Sequence, residues 1–274
     1  MHSLKSMLLH LDGSARAAER IQLARRLAET FDAEVTALPC TLTALMRYPF
    51  AVEAAAEAVA IMQEVDKEAL DRMRAAFSAH SAGSKHMHWS EPEPEGPWSF
   101  ARRALYADLM ILGQRDRDDP ADGELPGDFL PGTLVASGRP ALVLPYAGPV
   151  GTIGHNVLVA WKETRESARA VTAALPWLCT AAQVHAVAYG RDADASLGRL
   201  QEYLRVQRVA RTTLHAGGAD EDDVGNRLLS LAADVGADLL VMGCYGHSRA
   251  REWVLGGATR SILDSMTVPV LMSH

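Results

Sequence analysis

The chain repeats its own pattern, and this internal duplication limits the folds it can adopt more than any other feature. Residues 5–14 and 155–164 each contain an apolar run that ends in a polar turn, and a long amphipathic stretch follows each of them. Further on, ADLMILG at 107–113 matches ADLLVMG at 237–243, and RPALVL at 139–144 matches VPVLM at 268–272. Because these anchors recur in the same order, the sequence predicts two tandem domains.

The boundary between the two copies is predicted in a linker rich in glycine and proline, GPVGTIG at 148–154. We therefore expect domain 1 over residues 1–149 and domain 2 over residues 150–274. The length of 274 residues suits two domains of ordinary size, and an apolar share of 48% is sufficient for a packed core.

Each copy alternates short apolar runs with helix-like stretches, which is typical of parallel strands buried on both faces. Right-handed crossovers between such strands produce a doubly wound sheet. The sequence thus predicts an α/β fold of two tandem Rossmann-like domains, each with a doubly wound parallel five-stranded sheet. The expected strands are residues 7–11, 34–38, 85–89, 109–112 and 141–144, then 157–161, 183–189, 208–215, 239–242 and 268–272.

The last segment of the second copy has a distinctive glycine spacing. The apolar run 239–242 stops at Gly243, Gly246 and Gly256 follow, and a helix-like stretch and the run 268–272 complete the segment. Glycines let a backbone approach a ligand closely. Together with the N-terminus of a following helix, their amides form an anion site. The segment therefore predicts a phosphate site.

This Gly-x2-Gly-x9-Gly pattern, followed by a helix and a Val-Pro-Val-Leu strand, resembles the universal stress protein family. In nucleotide-binding members of that family the pattern holds the ribose and phosphates of ATP. The resemblance implies an adenine nucleotide alpha hydrolase-like fold with strand order 3-2-1-4-5. It also implies a cytoplasmic stress-response protein that binds ATP or another adenine nucleotide, with or without Mg²⁺. The two domains are expected to pair along their last strands as an intramolecular pseudo-dimer. Whether two chains also form a homodimer is left open.

The resemblance also implies which residues of domain 2 contact the nucleotide. Ala160 and Lys162 come at the end of the first strand, near base and ribose, and Val187 comes at the end of the second strand, near adenine. His247 and Arg249 are within reach of phosphate. The ribose and phosphates are expected at Met242, Gly243, Tyr245, Gly246, Gly256, Gly257, Ala258 and Thr259.

Domain 2 departs from the ATP-binding members of the family at two positions. Gly257 stands where they carry Ser or Thr. One hydrogen bond from a hydroxyl group to the ligand is thereby lost, which lowers the binding free energy by about 0.5–1.5 kcal/mol net. Thr259 is a partial substitute for this hydroxyl. Lys162 stands where they carry Asp, so an acceptor for the ribose is lost and a point charge for phosphate is gained.

Domain 1 departs from the family in the opposite way, since it keeps the residue after the first strand and loses a glycine of the loop. Asp12 keeps the residue that the family carries after its first strand, either as a ligand or as a helix cap. The loop after Gly113 lacks the second glycine, because Asp116 occupies that position, and four acidic residues lie between 116 and 122. Carboxylates repel a triphosphate. We expect no ATP in domain 1.

Composition excludes several classes of function. The net charge is −7, the pI is about 5.8 and no basic block occurs, so a nucleic-acid partner is not expected. No apolar run approaches the roughly 18 residues of a membrane span. The three cysteines, Cys40, Cys179 and Cys244, lie far apart, so neither disulfides nor a metal site are expected.

No catalytic residues are identified, so the chain is expected to be at most a weak ATPase. It has no nucleophile elbow and no Walker A lysine motif. A hydrolase would need a base and a metal-holding carboxylate near Gly243. The alternative to nucleotide binding is a module that binds a partner protein or another small ligand on the same fold.

Overall fold

The structure is a computed structural model, and it describes residues 4–48, 56–149, 151–218, 223–246 and 257–274. These residues form two compact units, which we call the N-terminal unit, Leu4–Ser137, and the C-terminal unit, Gly138–His274. The units divide upstream of the linker at 148–154, so the domain boundary at 149/150 stays a prediction.

The N-terminal unit alternates strands and helices. The strands are β1 (Ser6–Leu11), β2 (Glu34–Pro39), β3 (Met87–Trp89) and β4 (Leu109–Gly113). The helices are α1 (Ala17–Phe31), α2 (Ala44–Arg47), α3 (Ala56–Ser81), α4 (Ser99–Ala104) and α5 (Phe129–Ser137), with short 3-10 turns at Gly96–Trp98 and Asp122–Glu124. The strand order is β3-β2-β1-β4, and the pairs are parallel.

The C-terminal unit contains β5 (Ala141–Leu144), β6 (Asn156–Ala160), β7 (Gln183–Ala188), β8 (Thr212–Ala216), β9 (Leu239–Gly243) and β10 (Val270–Ser273). Its helices are α6 (Arg165–Leu178), α7 (Ala193–Val206), α8 (Val224–Asp234) and α9 (Ala258–Ser265). The strand order is β5-β10-β9-β6-β7-β8. Five of these strands are parallel in the expected 3-2-1-4-5 order, so the doubly wound α/β fold is confirmed.

The predicted pairing of the two closing strands is present in the C-terminal unit. β5 and β10 run antiparallel, with Leu142 opposite Leu271 and Val143 opposite Val270. This pairing explains why β5 groups with the second half of the chain, although its sequence belongs to the first copy. It also covers backbone groups that an edge strand would leave unpaired.

The repeated Ala-Asp-Leu anchor has a structural role in both units. The Asp108 carboxylate accepts the backbone N–H groups of Lys5 and Ser6 at 2.9 Å, where β1 begins. Asp238 does the same at the start of β6, where it accepts the N–H groups of His155, at 3.0 Å, and Asn156, at 3.2 Å. The aspartate thus joins the first strand of each copy to the strand beside it.

Three predicted strands begin later than the apolar pattern suggested, and the first of them is β3, which begins at Met87 rather than 85. β8 begins at Thr212 rather than 208, because Arg208 adopts a left-handed conformation with φ of 67°. β10 begins at Val270 rather than 268, after Pro269, which has no N–H for a strand ladder.

Candidate functional site

The candidate site of the C-terminal unit lies at the carboxyl ends of three adjacent strands. Ala160 at the end of β6 pairs with Met242 on β9 and with Val187 on β7. The order β9-β6-β7 includes the point where the winding direction reverses, and open α/β sheets bind ligands there. The structure therefore brings these three predicted residues together, and their contact with a ligand stays a prediction.

Gly243 is required by packing within the protein. A β-carbon at this position would stand 2.5 Å from the backbone nitrogen of Ser167 and 2.8 Å from the carbonyl carbon of Glu166. Real β-carbons do not approach backbone atoms so closely, so only glycine lets β9 end against the first turn of α6. Helix packing is thus a sufficient reason for this glycine.

The loop after β9 is described only at its two ends. Tyr245 has φ of 54°, and its N–H donates to the Thr259 hydroxyl at 3.4 Å. The Thr259 hydroxyl, predicted as a substitute ligand, therefore already bonds within the protein. Gly257 is the N-cap of α9, and Ala258 begins the helix. His247, Arg249 and Gly256 lie outside the described residues.

The turn between β6 and α6 places charged side chains beside the loop. Lys162 is exposed. Thr164 caps α6 by accepting the Ser167 N–H at 3.3 Å. Glu166, which no sequence motif singled out, is only 3% exposed, and its Oε2 atom lies 3.1 Å from the position of a β-carbon on Gly246.

A cavity of 460 Å³ opens beside the ends of β7 and β8, next to α8. This volume lies within the range of small-ligand sites. Val187, predicted to lie near adenine, is part of its wall. The other lining residues are Tyr189, His215, Gly217, Asp223, Asn226, Arg227, Ser230, Leu231 and Asp234.

The wall of this cavity combines an aromatic ring with polar groups. The Arg227 guanidinium carbon lies 4.4 Å from the centre of the Tyr189 ring, and a nitrogen of the same group donates to the Gly217 carbonyl. Burial raises the pKa of Tyr189, so its phenol stays neutral. His215 Nε2 is 2.9 Å from His185 Nδ1 on the neighbouring strand, and burial lowers the pKa of His185. Sequence patterns gave no sign of Tyr189 or Arg227.

The corresponding edge of the N-terminal unit contains a buried ion pair. Arg20 Nη2 lies 2.5 Å from Asp12 Oδ1, and both residues are buried. Burial raises the pKa of Asp12, but Arg20 and its other partners outweigh burial and bring that pKa to about 2. The Arg20 guanidinium also lies against Gly113 and fills the space of a β-carbon there. The predicted capping role of Asp12 is wrong, because α1 begins at Ala17 with Arg16 at its N-cap.

The acidic loop of the N-terminal unit bonds to the start of this same turn. Glu124 accepts the Gly13 N–H at 2.9 Å, and Asp119 accepts the Ala15 N–H at 2.9 Å. Anions of a ligand would use such amides. Here carboxylates of the chain itself engage both of them, and the absence of ATP from domain 1 stays a prediction.

Within the described ranges, no cluster of three or more His, Cys, Asp or Glu side chains is arranged to hold a metal ion. A search of the same residues finds no helix with the length and apolar character to cross a membrane.

Comparisons with known proteins agree with this description. The model of the universal stress protein family matches residues 155–274. A universal stress protein from Archaeoglobus fulgidus has a similar structure, with a TM-score of 0.71 and 17% identity over 98% of this chain and 96% of its own. A functionally unknown protein from Pseudomonas aeruginosa has a TM-score of 0.58 and 15% identity, over 98% of this chain and 92% of its own. No curated protein matches the chain.

Proposed function

We propose that the chain is a tandem universal stress protein that binds an adenine nucleoside or nucleotide, because the model of that family matches residues 155–274. The ligand lies in the C-terminal unit, and the N-terminal unit is a diverged copy. The protein acts in the cytoplasm as a stress-response factor that binds its ligand without converting it.

The observation that carries this proposal is the position of the 460 Å³ cavity. It opens beside Val187, the residue that the family resemblance assigns to the adenine, and on the same sheet edge as the ends of β6 and β9. Neighbouring strands lie about 4.8 Å apart, so β7 and β9 are about 10 Å apart across β6. A nucleoside placed with its base at β7 would therefore direct its ribose towards β9.

The chemistry of the cavity suits a flat base with polar edges. Tyr189 supplies an aromatic ring, Val187 and Leu231 supply apolar surface, and Asn226 and Ser230 supply donors and acceptors. Aromatic rings stack on other flat rings in offset or tilted arrangements. A small number of polar groups in a pocket wall fixes the orientation of a bound ligand.

The experiment is a thermal-shift titration of the full chain with adenosine. We expect stabilisation that grows with adenosine concentration, because a ligand that binds only the folded state stabilises it. Ser230→Trp fills the cavity and should remove the shift. Gln201→Trp places the same side chain on the exposed face of α7 and should leave the shift unchanged. A shift that survives Ser230→Trp contradicts the location of the site.

The second candidate is a module that binds a partner or another small ligand. Two observations favour it: the Thr259 hydroxyl already bonds to the Tyr245 N–H, and the Glu166 carboxylate lies against Gly246. The absence of any thermal shift with adenosine and with ATP, for a folded protein, would select this candidate.

A further inference from the structure

A carboxylate occupies the space beside the loop that the family resemblance assigns to phosphate. Glu166 is the second residue of α6, and its side chain is turned towards Gly246 with Oε2 3.1 Å from the position of a β-carbon there. Its other oxygen, Oε1, accepts from Arg165 Nε at 2.5 Å. One oxygen is therefore fixed by a neighbouring cation, and the other lies against Gly246.

Glu166 is ionised in this position. Burial raises the pKa of its carboxyl group, but hydrogen bonds from Arg165, from its own backbone N–H and from Thr164 outweigh burial, and the pKa lies below its usual value. The N-terminus of α6 also favours a negative charge in its first turn. Gly246 therefore faces an ionised carboxylate at neutral pH.

A phosphate placed at Gly246 would lie beside this charge. Like charges a few ångströms apart repel strongly in a partly buried site, since little water lies between them to screen them. Each further phosphate of a di- or triphosphate adds negative charge to the same region. The uncharged ribose and base of a nucleoside do not meet this repulsion.

We propose that Glu166 is a specificity-determining residue that makes the C-terminal site select nucleosides over nucleoside triphosphates. This inference rests on the proposed function, because it concerns the same site. The carboxylate occupies the position of a ligand phosphate, and the ribose end of a nucleoside faces Oε2, which accepts a hydrogen bond from a ribose hydroxyl.

The N-terminal unit uses the same chemistry independently. There, Glu124 and Asp119 accept the backbone N–H groups of Gly13 and Ala15 at the equivalent turn after the first strand. In the N-terminal unit, carboxylates of the chain itself thus engage amides after the first strand, and in the C-terminal unit a carboxylate of the chain lies against Gly246. The residues that supply these carboxylates differ, since one comes from α6 and the others come from the loop that follows β4.

The experiment measures the affinities of the full chain for adenosine, AMP, ADP and ATP by isothermal titration calorimetry. For the wild-type protein we expect affinity to fall with each added phosphate. Glu166→Gln keeps the shape of the side chain and removes its charge, so it should reduce the preference for adenosine over ATP by about tenfold or more, the effect of a charge pair in a partly screened site. The matched control is Glu163→Gln, an exposed carboxylate on the same turn that pairs with Arg199 and should leave the preference unchanged.

Three results would overturn the inference. Wild-type protein that binds ATP as tightly as adenosine contradicts it without any variant, so the test does not depend on the folding of Glu166→Gln. An unchanged preference in a folded Glu166→Gln variant contradicts it as well, and so does an equal change in Glu163→Gln. In all three cases adenosine still binds and the proposed function survives, whereas no binding of any of the four ligands by the wild type refutes both.

Discussion

Arg20 forms a buried ion pair with Asp12 and at the same time lies against Gly113, so a single side chain fills the edge of the N-terminal unit where β1 and β4 end. Its Nε also donates to the His10 carbonyl at 3.1 Å. In the second copy, the equivalent glycine, Gly243, meets the backbone of α6. The two copies thus keep the same glycine for different packing reasons.

The first prediction concerns this ion pair. Arg20→Met leaves the Asp12 carboxylate buried without its cation, and we expect the N-terminal unit to lose about 3–5 kcal/mol of unfolding free energy. The measurement is urea unfolding followed by a probe in that unit. On the same helix, Arg25 pairs with Glu29 at the surface, so Arg25→Met should cost less than about 1 kcal/mol. Similar losses in the two variants would contradict the account.

The second prediction concerns stability at acid pH. Burial lowers the pKa of His10 to about 4, against an ordinary value of 6.5, and its ring packs 4.7 Å from that of Phe129. The folded state binds a proton at His10 less readily than the unfolded chain does. The contribution of neutral His10 to the free energy of unfolding is therefore fully present above pH 6.5. That contribution is lost as the pH falls towards 4, by about 3 kcal/mol in all.

The variant His10→Gln removes this titration. Its melting temperature should therefore fall less between pH 7 and pH 4.5 than that of the wild type. The control is His155→Gln at an exposed position, whose melting temperature should fall as much as that of the wild type. The pKa of Asp12 is about 2, so that carboxylate stays ionised throughout this window. If the melting temperatures of wild type and His10→Gln fall in parallel with pH, His10 is not the cause of the loss of stability at acid pH.

The third prediction separates a glycine fixed by packing from one that is not. Gly243→Ala places a β-carbon against the backbone of Ser167, so we expect a loss of about 1–3 kcal/mol from overpacking. Gly198 lies within α7 with open space around it, and Gly198→Ala should stabilise the protein by about 0.5–1 kcal/mol through helix propensity. Chemical unfolding measures both. A neutral Gly243→Ala variant would refute the packing role.

The strands could be predicted from the sequence because their physical signal is local, whereas their order followed from the family resemblance. Runs such as 109–112 and 239–242 are apolar at every position, and the structure buries Leu109 and Leu239 completely. The repeated anchors then placed these strands in equivalent positions of two copies. The strand ends were harder to predict, since the left-handed conformation of a residue such as Arg208 depends on the end of the preceding helix.

Arg20 and Glu166 were missed because the glycines that they contact are distant in sequence. A weak signal existed: Arg20 lies four residues before Ala24, and Glu166 lies four residues before Ala170, so each charge falls on a buried helix face. Such a position predicts burial of a charge, but only the tertiary structure shows that Arg20 meets Gly113 and that Glu166 meets Gly246. The Tyr189–Arg227 contact had no local signal of any kind.

The central claim is that only the C-terminal unit binds an adenosine-type ligand. The most direct test is equilibrium dialysis of the full chain against labelled adenosine at saturating concentration, with the bound ligand counted per chain. The account predicts one adenosine per chain. Two per chain would show that the Arg20–Asp12 pair and the acidic loop leave the N-terminal site open, and none would show that the fold has been kept for another kind of partner.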